Sequence, residues 1–388
     1  MDNPEFEQLD ESLRSAKPSE ALDHLAGALA DRGDFRGALE AMLLRARLDL
    51  GLPLVQPGSL ADLPEPARTR YEDRYVEAIR KVGGLILATG EIAAAWGYFR
   101  AIGEKEPVVA AIDQFQPGED DLERVGEVID VALGQGVHPR RGFDLILDHH
   151  GTCSALTAFD SLPPDEGTRR YAADRLTRQL HSDLLINLKA ELTRRGQPTP
   201  SPEAPVSQWL EGRDWLFADD SYHLDISHLA MVVRLSTLLT DPATIRLAVG
   251  LTDYGRKLSD RLQADGEPPF DDFYADHATY LKATLGEDID GAIRHFESKL
   301  TPPDPSNCEA PIKAQTLVRL LDRLGRTEQA FEVAAHYLGH LPDGALGEPT
   351  LFHLGQTLGQ MDRLAEIARA TGDPVRYAAI RLEQAKKT

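Results

Sequence analysis

The stretch that decides the fold is VGGLILATGEIAAAWGYF, residues 82–99. Apolar or small residues precede Gly90 at helical spacing, and Ala95 and Phe99 follow it in the same way. A glycine permits a tight turn between two helices, and small residues let the two helices approach closely. The stretch therefore predicts a pair of helices that are joined at Gly90 and packed side by side.

Four other glycines have similar neighbours and predict further helix pairs. They are Gly33, Gly325 and Gly359, together with Gly286, which fits if one residue is inserted. The pattern selects inner-face residues around them, namely Leu25, Ala26, Leu29, Ala38, Met42, Ala292, Phe296, Leu317, Val318, Leu321, Ala330, Ala334, Leu351, Phe352, Leu364 and Ala368. Gly359 lies 34 residues after Gly325, which suggests a regular repeat.

These features resemble the tetratricopeptide repeat, a helix–turn–helix unit of about 34 residues. Around Gly90 and Gly325 a proline follows the second helix, at Pro107 and Pro342, as that family often has. The resemblance implies an all-α fold, an α-α superhelix or solenoid of helical hairpins. It also implies a scaffold whose concave surface binds a protein or peptide partner.

The repeat spacing is kept at the two ends of the chain and lost between them. We therefore predict N-terminal helix pairs over residues 1–115, an irregular helical middle over 116–281, and C-terminal helix pairs with a capping helix over 282–388. Within the middle, residues 196–205 contain four prolines and predict an exposed loop. In the same region, leucines at four-residue steps predict a long helix between Asp165 and Arg195.

Composition agrees with a helical protein that binds other proteins. Aromatic residues make up 6% of the 388 residues, and no alternating apolar run predicts a strand. The formal net charge of −21 repels nucleic acid and anionic lipid, so we expect neither as a partner. The charge either keeps the protein soluble or favours a basic protein or peptide segment as partner. Two cysteines build no disulfide framework, and no apolar run is long enough to span a bilayer, so we expect a cytoplasmic protein.

No sequence motif for phosphate binding or hydrolysis is present, so we do not expect a catalytic site. Three clusters of polar residues nevertheless lie in the middle region. From them the five candidate ligands of an alternative metal site are His150, His223, Asp225, His228 and His277. Imidazole and carboxylate groups bind zinc or another divalent transition metal, which would support metal-dependent hydrolysis. If the protein is only a scaffold, no cofactor is needed.

Each cluster also has a structural interpretation. His150 and Gly151 are typical of a helix end, and Asp225 or Ser227 is typical of a helix N-cap. The aromatic and acidic segment around His277 fits the start of a helix with buried rings, or the lining of a groove that meets a polar ligand. The neighbouring Cys153 is predicted to be a buried core thiol.

Overall fold

The computed structural model describes residues 4–15, 17–55, 63–118, 121–302 and 308–386. Its secondary structure in these ranges is helical, apart from a single antiparallel β-bridge between Glu267 and Phe270. The prediction of an all-α fold is therefore confirmed for the described residues. None of the helices in these ranges has both the length and the apolar character that crossing a bilayer requires.

The chain divides into two compact units, an N-terminal unit over residues 1–168 and a C-terminal unit over residues 169–388. This boundary falls inside the predicted middle region. The three-part division of the sequence was based on repeat spacing rather than compactness, and it stays a prediction.

The N-terminal unit contains eight described α-helices. They are α1 (Pro4–Ser15), α2 (Pro18–Asp31), α3 (Phe35–Asp49), α4 (Ala67–Ala88), α5 (Ile92–Ala101), α6 (Glu106–Gln114), α7 (Leu122–Ile129) and α8 (Pro139–Phe159). A π-helical turn at Asp130–Gly134 follows α7. Helices that are neighbours in the chain, from α1 to α6, pack on one another, and α4 also contacts α6.

The C-terminal unit contains the remaining helices, and α9 begins at the boundary between the units. They are α9 (Glu166–Arg194), α10 (Val206–Leu210), α11 (Ile226–Leu235), α12 (Pro242–Gly255), α13 (Phe273–Thr284), α14 (Ile289–Ser298), α15 (Glu309–Arg323), α16 (Thr327–Tyr337), α17 (Leu351–Thr357), α18 (Met361–Ala370) and α19 (Pro374–Lys386). Consecutive helices from α11 to α19 are in contact. Residues 196–205 contain no helix, as predicted.

The five turn glycines lie between helices, and each has a positive φ, between 70° and 88°. Residues with a Cβ rarely adopt this conformation, so glycine is the residue that allows these short connections. Most of the inner-face residues selected from the sequence are buried, including Val82, Phe99 and Ala330. The helix pairs are thus found where the glycines predict them.

Gly83 shows why a small residue is needed inside the pair formed by α4 and α5. A methyl group on Gly83 would lie 2.7 Å from Cε2 of Phe99, which is closer than such carbon atoms come. At the next residue of α4, a methyl group on Gly84 would have no neighbour within 4 Å. The absence of a side chain at Gly83 therefore allows the ring of Phe99, which is 1% exposed, to pack against α4.

The leucine stripe of α9 is part of the buried core of the C-terminal unit. Its members at four-residue steps are at most 2% exposed, and they are Leu176, Leu180, Leu184, Leu188 and Leu192. The largest fully buried side chains of this unit are Trp209, Tyr254, Tyr274 and Tyr280. Burial of apolar area of this kind supplies most of the free energy that favours folding.

Candidate functional site

Three of the five candidate metal ligands lie at the start of α11: His223 and Asp225 precede the helix, and His228 is in its first turn. Asp225 caps α11: its Oδ1 accepts hydrogen bonds from the backbone N of Ser227 at 2.9 Å and of His228 at 3.1 Å. The hydroxyl of Ser227 and these amides lower the pKa of Asp225. The carboxylate thus satisfies helix N-terminal donors, which is the predicted structural role.

His223 lies in the loop before this cap and packs against Phe217 and Tyr254. Its backbone N donates a hydrogen bond of 2.6 Å to the hydroxyl of Tyr254, and its Nδ1 is 3.2 Å from the same oxygen. Burial lowers the pKa of His223 and raises the pKa of Tyr254 to about 12. The two side chains are therefore neutral at pH 7 and joined to each other.

His277 is 1% exposed and lies inside the core of the C-terminal unit. Its Nδ1 donates a hydrogen bond of 2.7 Å to the carbonyl oxygen of Phe273, and its ring stacks on Phe270 with centroids 4.0 Å apart. Burial, which disfavours the charged imidazolium, lowers the pKa of His277 to about 4. The side chain is therefore a neutral, enclosed part of the core at pH 7.

Asp276, the neighbour of His277, is at the centre of a buried polar network. The carboxylate is 2% exposed and accepts hydrogen bonds from Lys299 Nζ at 2.5 Å and from His295 Nε2 at 2.6 Å. The backbone N of Asp272 donates a third, of 2.9 Å. Because a buried carboxylate is costly without partners, these three donors make its burial possible.

Lys299 extends this network to the loop that precedes α13. Its Nζ also donates to the carbonyl oxygen of Pro269 at 2.6 Å and to Asp271 Oδ2 at 3.1 Å. The network therefore fastens the loop and the start of α13 to the end of α14. Its geometry is that of a structural ion pair whose donors and acceptors are used within the protein.

His150 lies in the N-terminal unit, in a break within α8. Gly151 has φ 77° and interrupts the helical backbone there. His149 and His150 are exposed, and so is Cys153. The prediction that Cys153 is a buried core thiol is wrong: the residues around the break lie on the surface, and apolar side chains further along the helix, such as Leu156, fill the core.

The described residues contain no group of three or more His, Cys, Asp or Glu side chains that could hold a metal ion. Asp225 is committed to its helix cap, and His277 is enclosed by aromatic rings. The metal hypothesis therefore receives no support from the geometry of this part of the chain.

The C-terminal unit has a shallow cavity of about 820 Å³ between α10 and α12. It is lined by Ser207, Gln208, Leu210, Glu211, Gly212, Asp214, Asp253, Arg256 and Lys257. Lys257 forms an ion pair of 3.0 Å with Asp214. The lining carries charges of both signs and does not select a ligand of one charge.

Sequence reasoning missed two members of the buried network, Lys299 and His295. They lie 23 and 19 residues from Asp276 in the sequence, directly after α14 and within it. Lys299 follows the aromatic residue Phe296 by three residues, which is the one signal that the sequence offers. Because lysines are common on helix surfaces, this signal does not distinguish Lys299 from a surface lysine.

Comparison with known proteins supplies no family for this chain. No protein-family model matches it, and no curated protein is significantly similar to it. Its resemblance to the tetratricopeptide repeat therefore stays a prediction from the residues around the turn glycines.

Proposed function

We propose that this protein is a helical-repeat scaffold that binds a basic protein or peptide segment on the acidic surface of its N-terminal unit. The main support for this proposal is the uneven distribution of charge between the two units. Residues 1–168 contain 31 acidic and 16 basic residues, a formal charge of −15, whereas the longer C-terminal unit has 32 and 26, a charge of −6. Most of the net charge of −21 therefore belongs to one unit.

The packing of the N-terminal helices supports a binding surface of the repeat type. Each helix from α2 to α5 packs on the next helix in the chain, with Gly33 and Gly90 at two of the turns. In addition, α4 contacts α6. Stacking of this kind leaves one side of alternate helices open to a ligand, as in solenoid proteins. We infer that helices stacked in this way form the concave acidic surface that the sequence predicts.

The exposed side of α4 suggests what the ligand contacts. Asp73 and Glu77 are exposed one turn apart, and Leu85 is 36% exposed further along the helix, beside the open Gly84. The sequence of α4 has five basic and three acidic residues, and Arg74 donates a hydrogen bond of 2.9 Å to Glu77, so the negative charge of the unit lies mainly on its other helices. On α4, the carboxylates of Asp73 and Glu77 are the groups that a Lys or Arg of the ligand would contact, and Leu85 would contact an apolar side chain. The charged groups steer association and set specificity, and the apolar contact adds affinity.

A selection from a random peptide display library, with the intact chain as bait, tests this proposal. We expect the selected sequences to be enriched in Lys and Arg. Their binding is expected to weaken about tenfold, or ~1.4 kcal/mol, when Asp73 and Glu77 are both changed to Lys. Selected sequences without basic enrichment would contradict the proposal.

The matched control reverses two exposed carboxylates of the C-terminal unit, Glu297→Lys and Glu328→Lys. It changes the net charge of the chain by the same amount as the N-terminal pair. Equal loss of binding in both variants would show that only overall charge matters and would overturn the assignment to the N-terminal unit.

A further inference from the structure

Two helices at opposite ends of the chain have apolar side chains on their solvent side. On α1, Phe6 is 67% exposed and Leu13 is 42% exposed. On α19, Val375 is 78% exposed and Leu382 is 66% exposed, with the exposed Ala378 and Ala379 between them. Ile380 is the residue of α19 that is buried. Each helix thus has an unpartnered apolar stripe.

The two stripes have the same spacing. Phe6 and Leu13 are seven residues apart, and so are Val375 and Leu382. Seven residues are close to two helical turns, so each pair lies on one side of its helix with its members roughly 10.5 Å apart. Two helices with this repeat pack along each other at a shallow angle, with the apolar residues in the seam.

The charges of the two helices are opposite. The sequence of α1 has four acidic residues and one basic residue, a formal charge of −3. The sequence of α19 has one acidic residue, Glu383, against Arg376, Arg381 and Lys386, a formal charge of +2, although Arg376 pairs with Asp373 before the helix and Arg381 with Asp362 of α18. Like charges repel, so two α1 helices or two α19 helices make poorer pairs than one of each.

We propose that α1 of one molecule docks on α19 of a second molecule, so that copies of this chain associate head to tail. Such a contact is heterologous, because different surfaces meet. In a dimer, one molecule keeps a free α19 and the other keeps a free α1, so further copies can add. The stripes are small compared with the roughly 800 Å² that each partner buries in a typical stable interface. The association is therefore weak, in the micromolar range or above, and sensitive to salt.

Sedimentation velocity of the full chain tests this proposal over protein concentrations from about 5 to about 300 µM. We expect the average mass to rise with concentration at low ionic strength and to return towards that of the monomer at about 0.5 M salt. A chain that is monomeric at every concentration in low salt would overturn the proposal.

Two double variants each remove one side of the contact. Phe6→Glu with Leu13→Glu disrupts the α1 stripe, and Val375→Glu with Leu382→Glu disrupts the α19 stripe. Each variant alone is expected to be monomeric, whereas an equimolar mixture forms a dimer and nothing larger, because each partner contributes one intact helix. Continued association of the α1 variant alone would show that α19 pairs with itself and would contradict the head-to-tail contact.

The control variant carries Leu122→Glu with Ile186→Glu. These side chains are 58% and 61% exposed, on α7 and α9, and the substitutions introduce the same two charges. Its self-association is expected to match that of the unchanged chain. If it also becomes monomeric, added negative charge rather than loss of the stripes causes dissociation, and the proposal fails. Circular dichroism of all three variants checks that they keep their helices.

Discussion

The helix pair formed by α4 and α5 and the α13–α14 region are packed in different ways. Around Gly90 the contacts are steric: a missing side chain at Gly83 makes room for Phe99. Around Asp276 the contacts are electrostatic: a carboxylate that is 2% exposed is held by Lys299 and His295. The first kind of contact follows from local sequence, whereas the second joins residues whose partnership depends on the fold.

The largest expected effect comes from breaking the buried network. Lys299→Met leaves the carboxylate of Asp276 buried without its cation, which is expected to lower the free energy of unfolding by about 3–5 kcal/mol. Urea unfolding followed by circular dichroism measures it. The matched control is Lys257→Met, which removes a lysine from the exposed pair with Asp214 and is expected to cost below about 1 kcal/mol. Similar costs for the two substitutions would refute the structural role of the network.

A second expected effect is a loss of stability in acid that depends on His277. Its pKa in the folded state is about 4, below the ordinary value of 6.5, because burial disfavours the imidazolium. The stabilisation is therefore present above pH 6.5 and is lost as the pH falls towards 4, by ~3 kcal/mol in total. Between pH 7 and pH 4 we expect the unchanged chain to lose this much more stability than His277→Phe.

The control for this measurement is His24→Phe, at an exposed position of α2. It is expected to show the same dependence on pH as the unchanged chain. If the unfolding free energies of the unchanged chain and His277→Phe run parallel across this pH range, the assignment of the effect to His277 is wrong.

Two adjacent glycines of α4 test the steric contact between α4 and α5. Gly83→Ala is expected to destabilise the protein by about 1–2 kcal/mol, since the new methyl group meets the ring of Phe99. Gly84→Ala has open space and is expected to stabilise it by up to ~1 kcal/mol, because alanine favours helix more than glycine does. Thermal unfolding of the two variants side by side shows the difference, and a shift in the same direction for both would contradict the packing described for this pair.

The smallest expected effect concerns the cap of α11. Asp225→Ala removes two hydrogen bonds to helix N-terminal amides and is expected to cost about 1 kcal/mol. Asp225→Asn retains a capping oxygen and is expected to cost less. Chemical unfolding checks both variants, and elemental analysis at neutral pH provides the readout for the metal hypothesis. Stoichiometric zinc in the unchanged chain that is lost in Asp225→Ala would show that this residue is a ligand as well as a cap.

The sequence predicted those parts of the fold that depend on neighbouring residues. The turn glycines, the leucine stripe of α9 and the proline-rich loop can each be identified within one short window, because periodicity and turn chemistry are local. The cap of α11 was narrowed to Asp225 or Ser227 for the same reason, and the structure shows that it is Asp225. The existence of helix pairs around Gly33, Gly90 and Gly325 follows from such signals alone.

The prediction that was wrong, and the roles that the sequence did not indicate, depend on tertiary packing. Cys153 was predicted to be buried, but the backbone break at Gly151 leaves it on the surface. The role of Lys299 was missed because nothing in its local sequence distinguishes it from a surface lysine. His277 was considered as a ligand, and only the structure shows the rings that enclose it.

The most direct test of the scaffold proposal is isothermal titration of one selected basic peptide into three forms of the full chain. These are the unchanged chain, the Asp73→Lys, Glu77→Lys variant and the Glu297→Lys, Glu328→Lys variant. We predict that the dissociation constant rises about tenfold for the N-terminal variant and less than about threefold for the C-terminal one. A dissociation constant that is unchanged in the N-terminal variant, or raised equally in both, would contradict binding on the acidic surface of the N-terminal unit.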